Sequence, residues 1–563
     1  MDVLRVVVFE FNVGGGGECW TFGWTSKRRA TFTCHCHHDS FLEQQFEEMA
    51  TTLLDLPPEL IASTFSYLDD GDFFAARASV RHLERASFTT FGKRFFRKKG
   101  YMITTDSLDV LQNVASHKEL QSYVQHVWFN PDCYTFGPML FLDDHFDDWD
   151  KVDPEDRYSD DPETNRKNNE AHTACMDDHH HLLQSDRVLA DKLTTAFFSL
   201  PNLKTVGMRR SDQHNPWGWR RLKHAVGRDP RELGDLPWIH QSGASGPTLL
   251  YAAMIQALDT SGAAVRRLYT DAIEIDLISP RTLPLDVIQR ACSSLQYLEV
   301  NVTKGNATSV YRPPNEDTEA RHSHELSQYG SGLIRLLSSS PKLRELGLMI
   351  FPDRRQSHLM APEEGWLQSY PYLTLIHLAA GTQLQNLRRI KLEKFTTTAT
   401  TLISLLKPSA KHLTSIKLRD IRLLDDDDAA TSAAERPWQP IFSFLATSCP
   451  KLSYLLLYHL SHSTGTIRFV QNLQPPDTND VAAESMPDTV NFTNYENISV
   501  EAGVPHSDPD TEGPEKRATI LRAREVVGER VRALVEGHWY GKNTFSYEMD
   551  EMVWHTDTSD EEW

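Results

Sequence analysis

The chain has 563 residues, 40% of them hydrophobic and 10% aromatic, which suits either several folded domains or one small module joined to a long repeat array. Its formal charge of −20 argues against a general nucleic-acid binder, because that affinity rests on Lys and Arg neutralising phosphates. No apolar run approaches the roughly 20 residues that span a bilayer, so no membrane association is expected.

Residues 1–48 are Gly-rich, show no periodic pattern and are expected to form a disordered extension. The apolar patch near the start is too short and too acidic for a signal peptide. A reducing compartment, cytoplasmic and/or nuclear, is therefore expected, with the seven cysteines as free thiols. Cys34-His35-Cys36-His37-His38 has no second cluster at finger-like spacing, so no metal is assigned to it.

From Leu53 to Phe96 the pattern turns helical. Pro58 suits a first helical turn, where its missing N–H has no partner to lose, and Glu59 favours the positive end of the helix dipole. Leu60, Thr64 and Leu68 recur at four-residue steps beside Ile61 and Phe65, giving a broad apolar face. Asp69-Asp70-Gly71-Asp72 reads as a turn and N-cap before a second helix with Phe73, Phe74, Ala76 and Val80. A third helical stretch carries Leu83, Ala86, Phe91 and Phe95. Short helices this apolar are expected to need a permanent partner for the surface they cannot bury on themselves.

Leu56, Pro57, Pro58, Glu59, Leu60, Ile61, Phe65, Tyr67, Leu68 and Val80-Arg81-His82-Leu83 give the stretch its family likeness. It resembles the F-box, by which substrate receptors of Skp–cullin–F-box ubiquitin ligases hold a Skp-family adaptor. The resemblance implies adaptor contact through Leu56, Pro57, Pro58, Leu60, Ile61, Phe65, Leu68 and Leu83, within a module spanning residues 49–100. Thr64 stands where a branched aliphatic is usual and Leu83 where Trp is common, so weaker adaptor contact is expected there.

Beyond the module an L-x-x-L-x-L spacing recurs with conservative replacements. It runs through Val124-Val127-Phe129, Leu203-Val206-Met208, Val265-Leu268 (with Thr270 third), Leu295-Leu298-Val300, Leu343-Leu346-Leu348, Leu387-Ile390-Leu392, Leu413-Ile416-Leu418 and Leu452-Leu455-Leu457. The second and third positions lie two apart, on one side of a strand. Helix-like spacing precedes several runs, as in Gly332–Ser338, Thr401–Leu406 and Ile441–Ala446. Helix, tight turn and short strand in repetition predict an α/β architecture over residues 101–473: an irregular leucine-rich-repeat-like solenoid with parallel strands and outer helices. The alternative is an α/β domain with several parallel strands.

An acidic loop insertion is expected at about 143–186, since Asp143–Glu163 holds eleven acidic and two basic residues. Asp177-Asp178-His179-His180-His181 falls in the same loop, because three consecutive His cannot face one site on a regular element. A Pro/Gly/Trp-rich loop is expected from Gln213 to Gly246. Residues 474–514 read as a linker or flexible insertion, 515–549 as a C-terminal capping helix striped by Ile520, Val527, Val531 and Leu534, and 550–563 as an acidic tail.

No phosphate loop, G-x-S-x-G elbow or H-E-x-x-H helix appears, so neither catalysis nor a cofactor is expected. Recognition has more behind it. On the strand face opposite the leucines, Arg389, Lys391, Lys417 and Arg419 are expected to form a basic strip flanked by Tyr454 and Tyr458. The strip would receive an acidic or phosphorylated target segment. The expected function is a non-catalytic substrate receptor that joins a Skp-family adaptor, and through it a cullin, to a target protein destined for the proteasome. The alternatives are a repeat scaffold outside any ligase and a metal-dependent hydrolase built from the His/Asp loops.

Overall fold

The computed structural model describes residues 5–13, 16–25, 29–35, 56–131, 162–185, 187–209, 215–226, 246–271, 273, 283–303, 331–351, 382, 384–424, 437–462, 465–469, 499–503, 514–535 and 539–542. The acidic run 143–161, Asp425–Asp428 and the tail beyond 542 lie outside these residues. The chain divides into two compact units, Met1–Lys98 and Lys99–Trp563.

The first unit opens with three antiparallel strands, β1 (Arg5–Val13), β2 (Gly16–Thr25) and β3 (Arg29–His35). Residues 5–35 were expected to lack structure. The run Arg5-Val6-Val7-Val8-Phe9-Glu10-Phe11 is rich in β-formers, and β1 pairs with β2 in register from Arg5↔Trp24 to Val13↔Gly16.

Four helices follow: α1 (Pro58–Ser66), α2 (Asp70–Ser79), α3 (Arg81–Ala86) and α4 (Phe88–Phe96). The expected third helix is thus two, divided at Ser87. Asp69 caps α2, its carboxylate accepting from the Asp72 N–H at 2.8 Å. Ile61, Phe65, Phe73, Ala76 and Leu83 are buried together, and Leu56, Leu68, Ala86, Phe91 and Phe95 pack around them. Arg94 ties the ends of the first two helices, donating to the Leu68 carbonyl at 2.6 Å and pairing with Asp70 at 2.7 Å. The module therefore has an apolar core of its own, while Leu60, Tyr67, Phe74 and Val80 stay exposed.

The second unit is α/β, built on a sheet with thirteen strands among the described residues. From β4 (Lys98–Met102) at the edge it runs through β5 (His126–Asn130), β6 (Thr205–Met208), β7 (Arg267–Tyr269), β8 (Tyr297–Thr303), β9 (Glu345–Phe351) and β10 (Arg389–Thr397) to β11 (Ser415–Leu423). Both β12 (Tyr454–Tyr458) and β13 (Ser461–His462) lie beside β11. Every neighbouring pair from β5 to β13 is parallel.

Helices α5 (Thr105–Ser116), α7 (Val188–Phe198), α9 (Gly246–Ser261), α10 (Leu285–Cys292) and α11 (Ser331–Ser338) precede β5 to β9 in turn. Further on, α12 (Ala399–Leu406) precedes β11 and α13 (Gln439–Ser448) precedes β12. Successive helices pack on one another, α5 on α7, α7 on α9, α9 on α10, α10 on α11 and α12 on α13.

The spacing read from the sequence maps directly onto this sheet. Val127, Val206, Leu268, Leu298, Leu346, Ile390, Ile416 and Leu455 are successive register partners and all are buried. Val300, Leu348, Leu392, Leu418 and Leu457 form a second buried row. Each such side chain contributes about 1.5–3 kcal/mol. Successive strands also share a backbone signature: one carbonyl before a strand accepts two consecutive N–H groups at the start of the next strand. Gln125 O takes Lys204 and Thr205, Lys204 O takes Arg266 and Arg267, and Arg266 O takes Gln296 and Tyr297. The pattern continues through Gln296, Arg344, Arg388 and Thr414. Thr270, where a leucine was missing, is buried, and its hydroxyl accepts from the Asn301 N–H at 3.2 Å.

Four elements of this unit depart from the sequence reading, among them β16 (Trp539–Lys542), a strand inside the stretch 515–549 expected as one capping helix, whose helix ends at Val535. Residues 162–184, assigned to the acidic loop, form helix α6 (Pro162–Gln184). Arg166 pairs with Glu163 at 2.7 Å and with Glu170, while His172 and His179, seven apart, are buried on the same side. Within the expected loop 213–246, α8 (Trp219–Val226) buries Trp219 and Leu222 against Met102. Within the expected linker, β15 (Ser499–Gly503) runs antiparallel to β12. β14 (Gly465–Phe469) pairs antiparallel with β13 and with β16 (Trp539–Lys542), so added strands cover the end of the parallel array. Helix α14 (Pro514–Val535) packs on α13 and buries Val527, Val531 and Leu534.

Helix α6 carries a pH liability. His179 Nδ1 lies 3.1 Å from the Ile103 carbonyl, and burial lowers the imidazole pKa from 6.5 to about 4. Between those values the unfolded chain binds a proton that the folded one refuses. His179 thus contributes fully above pH 6.5 and progressively less toward pH 4, a loss on the order of 3 kcal/mol. Urea unfolding across this range should show that much extra acid sensitivity in the wild type relative to His179→Gln.

Candidate functional site

Opposite the leucine rows, the side chains of β5 to β12 form an open face with its own registers. One row is His126, Thr205, Arg267, Tyr297, Glu345, Arg389, Ser415 and Tyr454; the next is Trp128, Gly207, Tyr269, Glu299, Gly347, Lys391, Lys417 and Leu456. A third row brings Asn301, Met349, Glu393, Arg419 and Tyr458 together. Arg389, Lys391, Lys417, Arg419, Tyr454 and Tyr458, picked out from the sequence, thus share three adjacent strands.

The strip is not purely basic, because carboxylates interleave with the cations. Arg389 pairs with Glu345 at 3.4 Å. Lys391 Nζ lies 3.8 Å from Glu299 and 3.3 Å from Glu393, and Arg419 Nε lies 3.5 Å from Glu393 and 3.6 Å from Asp420. Glu393 is only 4% exposed, so burial strengthens its attraction to both neighbours. Two cation–π contacts add to these: Lys417 Nζ stands 5.4 Å from the Tyr454 ring and the Arg419 guanidinium 5.1 Å from the Tyr458 ring.

Toward β5 the face becomes aromatic. Tyr269 lies over Gly207, its hydroxyl 2.9 Å from His126 Nε2, and Trp128 lies over Gly100. Arg267 caps the Tyr297 ring at 4.5 Å. The Tyr297 hydroxyl donates to Glu299 at 2.5 Å, and burial together with that carboxylate pushes its pKa well up.

Gly347 opens a hollow between these halves, lined by Tyr297, Glu299, Glu345, Arg389, Lys391, Ser415 and Lys417 among others. At the far rim, Lys394, Asp420 and His459 each follow the third row and each adopt left-handed backbone, with φ of 62°, 52° and 49°. The kink shifts the alternation by one residue, so that Phe395, Ile421 and Leu460 return to the core. His459 Nδ1 lies 3.1 Å from Asp420 Oδ1. Sequence reasoning singled out the cations but not their carboxylate partners, although Glu299, Glu345 and Glu393 fall at the same alternating positions. The left-handed residues have no sequence mark beyond the tolerance of Asp420 for that conformation.

In the helical module, the residues expected to meet a partner divide sharply. Ile61, Phe65 and Leu83 are interior, at 0, 0 and 3% exposure, while Leu56 and Leu68 are partly buried on the same core. Interior residues cannot meet a partner without opening the module. Pro57 and Pro58 are exposed, as are Leu60 at 48% and Tyr67 at 65%. Seven residues apart on or just beyond α1, Leu60 and Tyr67 share one side of the helix. Thr64 lies between them, its hydroxyl donating to the Leu60 carbonyl at 2.9 Å. Among the described residues of the module, Phe74 and Val80 are the other large apolar residues left in water, at 48% and 39%.

Among the described residues no group of three or more His, Cys, Asp or Glu is placed to hold a metal ion, and no helix is long and apolar enough to cross a membrane. Cys36, His37 and His38 lie outside them. No protein-family model matches the chain, and no curated protein matches it either.

Proposed function

We propose that this chain is a non-catalytic substrate receptor of a Skp–cullin–F-box ubiquitin ligase. In this reading the helical module is an F-box whose exposed Leu60–Tyr67 stripe, with Pro57 and Pro58 beside it, holds a Skp-family adaptor. The sheet unit is an irregular leucine-rich-repeat-like solenoid whose open face receives the target. A receptor of this kind needs no chemistry of its own, since it acts by raising the local concentration of target beside the ligase.

The observation that carries the reading is the division of labour inside the module. Its core is complete without a partner, and yet Leu60 and Tyr67 stand in water on one side of α1. Large apolar side chains aligned in that way suit a docking surface. Affinity purification of the full chain from cells tests the proposal: a Skp-family adaptor and a cullin should co-purify, and Leu60→Asp should remove both. Other partners appearing in their place, unaffected by Leu60→Asp, would support a repeat scaffold outside a ligase instead.

A further inference from the structure

Each parallel strand from β5 to β12 is entered through a short segment, and these segments line one rim of the sheet, the entry rim. The carbonyl ladder runs along it and sets Lys204 beside Arg266, and Arg344 beside Arg388, on neighbouring strands. Lys204, Arg266, Lys342, Arg344, Lys411 and Lys451 on this rim are exposed, and none has a carboxylate partner among the described residues. Over residues 117–125, 199–204, 262–266, 293–296, 339–344, 385–388, 410–414 and 449–453, which make up the rim, Glu119 is the one acidic residue. The whole chain has 78 Asp and Glu against 58 Lys and Arg, so the rim carries the opposite sign to its host. Like charges on neighbouring strands repel. Helix C-termini such as those of α7 and α11 lie just before the row and favour cations there, but they leave its charge open to solvent.

We infer that the entry rim docks a short run of Asp and Glu residues in a partner protein, laid across the strands. Lys204 precedes β6 and Lys451 precedes β12, which lies beyond β7, β8, β9, β10 and β11 in the sheet. At about 4.8 Å per strand the row spans roughly 29 Å, the reach of about nine residues of extended chain. An acidic run of that length replaces the repulsion within the rim by charge complementarity. A longer polyanion such as a nucleic acid would extend past the rim into the field of a chain with a charge of −20. For a membrane the rim offers too little apolar surface, since Phe198 at the end of α7 is its one exposed large apolar side chain among the described residues. The rim is separate from the open face, and the inference stands whether or not the helical module holds an adaptor.

The test uses the full chain and a fluorescent oligoglutamate peptide of about nine residues, with a matched peptide carrying Ser for every Glu. Fluorescence anisotropy should show the Glu peptide binding at low salt and weakening as salt rises, and the Ser peptide binding at least about tenfold more weakly. The double variant Arg266→Glu/Arg344→Glu should weaken the Glu peptide about tenfold, with no fall in thermal midpoint, because both side chains are exposed and make no ion pair. Arg220→Glu/Lys223→Glu on α8 changes the net charge equally and should leave binding nearly as it was. No binding of the Glu peptide by the wild type, equal binding of the Ser peptide, or binding that survives the rim variant would overturn the inference. Equal weakening by the α8 variant would overturn it as well, by reducing the effect to net charge. A single-stranded oligonucleotide, or vesicles of phosphatidylserine and phosphatidylcholine, bound more tightly than the Glu peptide and lost in the rim variant, would overturn the acidic protein segment in favour of that other partner.

Discussion

Phe73→Ala should unfold the helical module. Phe73 is fully buried, with ring centroids of Phe65, Phe95 and Phe91 at 5.2, 5.3 and 6.4 Å. The Arg77 and Arg94 guanidinium groups also cover it, at 5.9 and 5.5 Å from its centre. Removing such a ring costs about 3–5 kcal/mol in transfer energy and residual cavity. A helical module this small has only a few kcal/mol of stability in hand, so the loss is comparable to the whole. Limited proteolysis should show cleavage spreading between residues 56 and 98 of the variant while the sheet unit stays resistant. Leu60→Ala, which leaves no comparable cavity, should leave the digestion pattern unchanged.

Gly207→Ala should destabilise the sheet unit although it adds only a methyl group. An added Cβ at Gly207 would lie 2.3 Å from ring atoms of Tyr269, its partner on the next strand. The ring has little room to yield, being held by the contact with His126 at 2.9 Å and covered by the Arg209 guanidinium at 5.5 Å from its centre. Displacing it costs about 1–3 kcal/mol, as for other overpacked sites. The thermal midpoint of the sheet unit should fall accordingly. The double variant Gly207→Ala/Tyr269→Ala should fall by less than the sum of the two single changes, since one change removes the clash made by the other.

Much of the sheet was legible in the sequence because its core rows repeat at fixed offsets. Parallel strands bury one side chain in two against the helices, and Leu298, Val300, Leu346 and Leu348 follow from that rule wherever the strands lie in the chain. Helix α6 was hidden because it buries only a narrow stripe that includes His172 and His179, leaving a composition that resembles a solvated loop. β15 and β16 were hidden because short antiparallel strands at a sheet's end carry no periodic signal of their own. In the helical module the apolar pattern located α1 but could not separate Leu60 from Ile61. These adjacent residues end up at 48% and 0% exposure through the way α1 settles on α3 and α4. The open face was legible as positions but not as electrostatics. Its charge pairing depends on registers between strands separated by long intervening segments, such as Glu345 with Arg389.

The reading of the first unit as an adaptor-binding module turns on Leu60 and Tyr67. Titrating the purified full chain with a purified Skp-family adaptor tests it most directly. The wild type should bind with a stoichiometry of one, and Leu60→Asp and Tyr67→Asp should each weaken binding about thirtyfold or more, as expected for interface anchors worth at least 2 kcal/mol, with module folding unchanged. Wild-type affinity retained in both folded variants, or no binding by the wild type, would contradict it.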